Sequence, residues 1–167
     1  KSTSLNNFNV NNFSKYFSGI VALENKNNSK ALNFFDSSKN ISNEHVPFLE
    51  KYIYSLIFEN EVSKAINVIK KNNNRHHSFE IRLLLILDSL QKDAYDKANT
   101  LLYDLIEDAD QDRINHAILE TLRGYIHVFK EKKILQDKKS LGNLSIISET
   151  FQRCYLDDNK TDKSFYN

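Results

Sequence analysis

Tryptophan and methionine are absent from this chain, and cysteine, proline and glycine are scarce: one, one and three residues in 167. Each shortage excludes something. An all-β fold needs turn residues between its many strands, and three Gly with one Pro are too few to supply them. A lone Cys154 makes no internal disulfide and no cysteine zinc site, which leaves the redox compartment open. No charge of one sign dominates. The 23 basic residues face 22 acidic ones for a net +1, so the electrostatic footprint expected of a nucleic-acid binder is missing. No apolar run approaches the roughly 18 residues of a membrane span; the longest is Leu83 to Leu87. No signal peptide is visible. Because the chain opens on Lys1 rather than Met, the expectation is that an N-terminal stretch was removed. The polar end at Asn167 likewise reads as cut off mid-protein.

What remains is enough to fold. Hydrophobic residues make up 40% and Phe and Tyr are plentiful, unlike a disordered chain of low hydrophobicity and high net charge. The length suits one domain or a short array of repeats. Asn clusters such as Asn72-Asn73-Asn74 are short and sit between periodic segments. They read as loops filled by a compositional bias rather than as a prion-like tract, and the sequons at Asn12, Asn27, Asn40, Asn143 and Asn159 arise by chance from the same bias.

An internal repeat stands out. Ser29-Lys30-Ala31, Ser63-Lys64-Ala65 and Asp96-Lys97-Ala98 recur 34 and 33 residues apart, and each Ala is followed four residues later by a large apolar residue: Phe35, Ile69, Leu102. Before each lies an amphipathic pattern: Phe13, Tyr16, Phe17, Ile20, Val21 and Leu23; Leu49, Tyr52, Ile53, Leu56 and Ile57; Leu83, Leu84, Ile86, Leu87 and Leu90. Short polar turns lead into second helices predicted at about 29–38, 62–71 and 94–106. Ser29 and Asp93 are the expected N-caps, and Pro47 suits a first turn, where its missing N–H costs nothing. Ala at the recurring position lets two helices approach closely, since a larger side chain would overpack the crossing by about 1–3 kcal/mol. A fourth unit is less regular. A helix is predicted over about 112–130 and another over about 144–156, the latter presenting Ile147, Phe151 and Tyr155 at four-residue steps. The reading is thus all-α: a disordered arm over 1–11, helix pairs over 12–44, 45–77, 78–110 and 111–156, and a polar tail over 157–167.

These features resemble the tetratricopeptide repeat family. The first unit carries Gly19, Ala31 and Phe35 with the family's twelve-residue gap from Gly to Ala. The second keeps Leu49, Tyr52, Leu56, Ala65 and Ile69 but has Ile53 where Gly is usual. The third keeps Leu85, Ala98 and Leu102 but has Ile86 and Ser89 at the Gly and Tyr places. No unit has the closing Pro. The likeness covers about 12–106 well and 112–156 weakly. With the Asn-rich composition it also looks like repeat proteins of marine alphaproteobacteria, which implies a bacterial protein of the envelope or periplasm. The resemblance implies an α-solenoid of antiparallel helix pairs in a right-handed superhelix, whose first helices line a concave groove for a peptide or a partner's helix. Phased on the repeat, the groove would be lined by Tyr16, Ile20, Glu50, Tyr54, Leu83 and Leu87, continued by Arg123 and His127. Tyr16, Glu50 and Leu83 stand where a carboxylate clamp would need Lys and Asn, so an apolar or amphipathic segment of another protein is the expected ligand. The same residues serve equally to pack against neighbouring units or a capping helix. Self-association through an uncapped C-terminal end is also implied.

Enzymatic chemistry finds little support. No Gly-rich phosphate loop, His-Glu-x-x-His or Cys-x-x-Cys is present, and no cofactor or metal is expected. His76-His77 follows three Asn and reads as a solvated loop. His116 and His127 are eleven residues apart on one predicted helix, about 16 Å, too far to share an ion. Cys154 reads as a small buried hydrophobe. Glu107, Asp108, Asp110 and Asp112 lack the Gly and terminal Glu of a calcium loop. The Lys130–Lys139 cluster is interleaved with acids and reads as an exposed face. The expectation is a protein-binding scaffold. The alternatives are a repeat segment of a larger enzyme or an RNA-reading helical repeat, though Tyr16, Glu50 and Leu83 share no pattern of base-reading side chains.

Overall fold

The computed structural model describes residues 10–43, 45–72, 77–108, 113–136, 141–159 and 161. Among these the chain is all-α, with no strand. Its helices are α1 (Val10–Glu24), α2 (Asn28–Asp36), α3 (Val46–Phe58), α4 (Val62–Lys71), α5 (Phe79–Gln91), α6 (Tyr95–Asp108), α7 (Arg113–Glu131) and α8 (Asn143–Tyr155), with a 3₁₀ helix at Lys39–Asn43. The arm expected over 1–11 is shortened by α1, which takes in Val10 and Asn11; residues 1–9 lie outside the described residues, as do 160 and 162–167 of the tail. The chain divides into two compact units, residues 1–78 and 79–167.

The first three turns between paired helices share one backbone. Lys26, Asn60 and Asp93 each take a left-handed conformation, with φ of 57°, 62° and 54°. The next residue's N–H donates five positions back in each case: Asn27 to Ala22, Glu61 to Leu56 and Ala94 to Ser89, at 2.8–2.9 Å. This is the closure that satisfies the last carbonyls of a helix. The three residues are 34 and 33 apart, and the repeated Ala follows each by five. Lys132 and Asp157 take the same conformation after α7 and α8.

This turn corrects the expected caps. Asn27, not Ser29, caps α2, its side chain accepting from the Lys30 N–H at 3.2 Å. Asp93 is consumed by the left-handed turn, where its carboxylate accepts from the Tyr95 hydroxyl at 2.6 Å. Pro47 does sit in the first turn of α3, which His45 caps by accepting from the Phe48 N–H at 3.0 Å.

In the first unit α1 packs on α2, α2 on α3, α3 on α4, and α1 also touches α3. The crossing of α1 and α2 is set by Gly19. A Cβ there would lie 2.6–2.9 Å from three atoms of the Phe35 ring, and that ring is fully buried. Phe35 meets Phe48 edge to face at 5.6 Å, and Tyr16 completes the cluster at 6.2 Å from Phe35 and 5.6 Å from Phe48; such tilted and edge-on pairs suit the ring quadrupoles. Ala31, Leu49, Ile53, Leu56, Ala65 and Ile69 fill the rest of this core.

In the second unit α5 packs on α6, α6 on α7 and α7 on α8. Ile86, Ala98, Leu102, Leu105, Leu119 and Ile126 form its core, with Phe79, Leu90 and Leu122 against them. On α8 the polarity is reversed. Ser148, Thr150 and Gln152 are buried, whereas Leu144, Ile147, Phe151 and Tyr155 are exposed. The stripe of Ile147, Phe151 and Tyr155 therefore faces out. Gly124 on α7 is the reason, since it leaves room for the Gln152 amide, 2.8 Å from where a Cβ would stand. The Gln152 amide N–H in turn donates to Ser148 Oγ at 3.1 Å.

Two substitutions test this packing by urea denaturation. Gly19→Ala is expected to lower stability by about 1–3 kcal/mol through overpacking on Phe35, despite a gain in helix propensity of up to about 1 kcal/mol. Lys26→Gly is expected to raise it by roughly 0.5–1 kcal/mol. It removes a left-handed penalty of about 1–2 kcal/mol and adds back about 0.5–1 kcal/mol of backbone entropy. A stabilised Gly19→Ala would show that the α1–α2 crossing has slack.

Candidate functional site

The sequence-derived groove residues divide between the units, so each set is described separately. In the first unit Tyr16 is only 6% exposed and belongs to the aromatic core, with the His45 ring 5.1 Å away. This corrects its assignment to an open groove: Tyr16 lies with Gly19 on the buried side of α1, and burial pushes its phenol upward from the ordinary value. Ile20, Glu50 and Tyr54 are half-buried, and the Tyr54 and Ser78 hydroxyls share a hydrogen bond of 3.1 Å. In the second unit Leu83, Arg123 and His127 are half-buried and Leu87 is exposed. Arg123 donates through Nε and one terminal nitrogen to Glu120, at 3.2 and 2.9 Å.

A concave apolar surface lies elsewhere, on the other flank of α1. An open groove of about 590 Å³ runs between α1 and α2. Its apolar lining is Phe17, Val21, Ala22 and Phe34; Ser14 and Ser18 line it along α1, and Asn25, Asn27 and Lys30 close one end. Phe17 and Val21 are 59% and 60% exposed. The sequence carried a sign of this. Six large apolar residues in the eleven positions from Phe13 to Leu23 exceed what one core-facing stripe holds, so part of them must face outward. Periodicity alone did not say which part.

The groove is held by ordinary helix chemistry. Ser18 Oγ and the Asn25 side-chain amide both donate to carbonyls four residues back in α1, at 2.9 and 2.8 Å, and Asn27 caps α2. The polar end presents Lys30, an exposed cation. Such a lining suits an apolar side chain laid along the groove, with an acidic or carbonyl group at the Lys30 end.

At the other end of α2, Asp36 ties three helices together. Its Oδ1 accepts from the Tyr52 hydroxyl of α3 at 2.7 Å and its Oδ2 from Lys64 Nζ of α4 at 3.2 Å. Burial opposes the Asp36 charge, but these two donors outweigh it and hold the carboxyl below its usual range. Tyr52 is pushed upward, first by burial and then by its bond to Asp36.

Among the described residues no three His, Cys, Asp or Glu side chains come together as a metal set, and no helix is long and apolar enough to cross a membrane. Cys154 is exposed, not buried as expected, because α8 turns its polar side inward. His77 Nε2 stands 3.1 Å from the Asn72 carbonyl oxygen, and Asp108 pairs with Arg82 at 2.7 Å. His76, Asp110, Asp112 and the 137–140 part of the lysine cluster lie outside the described residues.

The Asp36 network sets a pH dependence. A depressed folded-state pKa contributes stability above the unfolded value near 4, and that contribution is lost as pH falls through the folded value. Asp36→Asn is therefore expected to be less stable than the parent at pH 7, by at most about 1 kcal/mol for so accessible a pair. The two should converge near pH 2. A constant gap across that range in urea titrations would assign the loss to packing instead of charge.

No protein-family model matches the chain, and no curated protein or solved structure matches it either.

Proposed function

We propose that this chain is a protein-binding scaffold built of tetratricopeptide-like antiparallel helix pairs stacked as a short α-solenoid, and that it receives an apolar or amphipathic segment of another protein. The solenoid reading is supported by the left-handed turn that recurs at Lys26, Asn60 and Asp93, with a fully buried Ala five residues after each. Helices that pack on their chain neighbours add to it. The observation that carries the binding reading is the open α1–α2 groove, whose Phe17 and Val21 side chains are more than half exposed. Large apolar residues lining a concavity at a folded surface mark an interaction site more often than scattered exposed ones do. The ligand that fits is an amphipathic helix. Its apolar residues at three- and four-residue steps would lie along Phe17, Val21 and Phe34, with an acidic residue opposite Lys30.

The test is an array of amphipathic helical peptides about 15–20 residues long, with acidic, neutral and basic ends, probed with the intact chain. Acid-ended peptides are expected to bind best. Val21→Asp is expected to weaken them at least tenfold while leaving helix content unchanged, because this side chain stands outside the core. Lys30→Glu is expected to reverse the preference for end charge. Binders indifferent to both substitutions would place the site elsewhere.

A further inference from the structure

The hydrophobic core of the second unit is assembled from α5, α6 and α7, and α8 adds no residue to it. The apolar residues of α8 supply no such anchorage, since Leu144, Ile147 and Phe151 are exposed. Its buried side is polar: Ser148, Thr150 and Gln152. Among the described residues α7 is its one substantial neighbour, and the two helices pack more sparsely than α5 on α6 or α6 on α7.

Part of that polar side is satisfied from within the helix. Gln152 Nε2 donates to Ser148 Oγ at 3.1 Å and Thr150 Oγ1 to the Ile146 carbonyl at 2.9 Å. Two buried oxygens have no hydrogen-bond partner among the described residues, Gln152 Oε1 on α8 and Thr121 Oγ1 on α7. Thr121 stands three residues before Gly124, on the helix face that receives Gln152. A buried polar atom taken from water and given nothing in return weakens the contact that buries it. Undocking α8 returns both oxygens to water and forfeits little apolar burial.

What fastens α8 lies at its last turn. The Tyr155 ring meets Phe129 of α7 edge to face at 5.0 Å, its hydroxyl accepts from Lys132 Nζ at 2.7 Å, and the same Nζ lies 4.9 Å from the ring centre. Phe129 is the middle member of an aromatic row, 6.3 Å from Tyr95 of α6 and 5.9 Å from Tyr125 of α7. Tyr155 thus lies against the centre of that row.

We propose that α8 is a strap that opens from α7 as one piece while α5, α6 and α7 stay folded, with Tyr155 as its catch. Opening uncovers the Phe129 ring between Tyr95 and Tyr125, together with the notch at Gly124. Within one protein, opening free energies run from near zero to that of global unfolding, and elements with few buried apolar contacts lie at the low end. The strap belongs to the second unit and does not depend on what the α1–α2 groove binds.

Native-state hydrogen exchange of the full chain, read amide by amide with increasing urea, is the test. The α8 amides from Ile147 to Cys154 are expected to exchange at least about a hundredfold faster than the slowest amides of α6. Their rates should barely respond to low urea, because the opening exposes little surface. Tyr155→Ala is expected to speed exchange about tenfold through the whole of α8 and leave α5, α6 and α7 unchanged. Gln152→Met keeps the length of the side chain, removes the unpartnered oxygen and should slow α8 exchange several-fold. Exchange in α8 as slow as in α6, with the same response to urea, would overturn the proposal and make the unit a single cooperative body. A Tyr155→Ala effect confined to the last turn would also overturn it, as end fraying. So would a Gln152→Met chain that opens as readily as the parent.

Discussion

Two helices joined by a three-residue turn can lie side by side only if the turn bends sharply and the crossing holds no bulky side chain on one partner. Both conditions are met by single residues in this chain. Lys26, Asn60 and Asp93 bend the backbone through the left-handed region, and Ala31, Ala65 and Ala98, all fully buried, stand in the first half of the helix that follows. Gly19 adds a third small position where the Phe35 ring lies against α1. The aromatic cluster of Tyr16, Phe35 and Phe48 depends on that approach. So does the α1–α2 groove, because the two helices must be this close for Phe17 and Phe34 to share one concavity.

That left-handed conformation is occupied by no glycine at these turns, although glycine would adopt it most readily. Asn60, Asp93 and Asp157 belong to the residue types whose short polar side chains tolerate it best. Lys26 and Lys132 are less suited by shape. They do place a cation just beyond the C-terminal ends of α1 and α7, where the helix dipole favours positive charge. The turn is therefore specified by backbone closure, the N–H of the following residue reaching five positions back, more than by the identity of its central residue.

This explains what the sequence disclosed. The repeat period was legible because the small crossing residue is a packing necessity, and only Ala satisfies it at positions 31, 65 and 98. The number and approximate limits of the helices followed from apolar periodicity. Orientation was not legible where a helix is apolar on more than one side. α1 has enough large residues for two faces, so Tyr16 was assigned to an open groove although the fold buries it, and nothing in the pattern singled out Phe17 as exposed. On α8 the periodicity gave the stripe but not the side it faces. The stripe of Ile147, Phe151 and Tyr155 is real, but Gly124 opens a notch on α7 that suits the Gln152 amide, and Phe129 and Lys132 hold Tyr155 at the edge. A notch on one helix and a clamp on another are tertiary facts with no period of their own. The expected caps failed locally: the turn absorbs Asp93, and Ser29 already lies inside α2, which Asn27 caps.

Among the described residues each helix of a unit makes its substantial contacts with its neighbours along the chain, with α1 on α3 as a longer step. Few contacts therefore require distant parts of the polypeptide to find one another. The entropy lost in closing each loop is small, and domains dominated by such near-neighbour contacts reach their native state in microseconds to milliseconds. Pairs of helices adjacent in sequence, such as α1–α2 or α5–α6, therefore meet at little entropic cost. During synthesis on the ribosome this means that the chain need never wait for its last residues before burying its first.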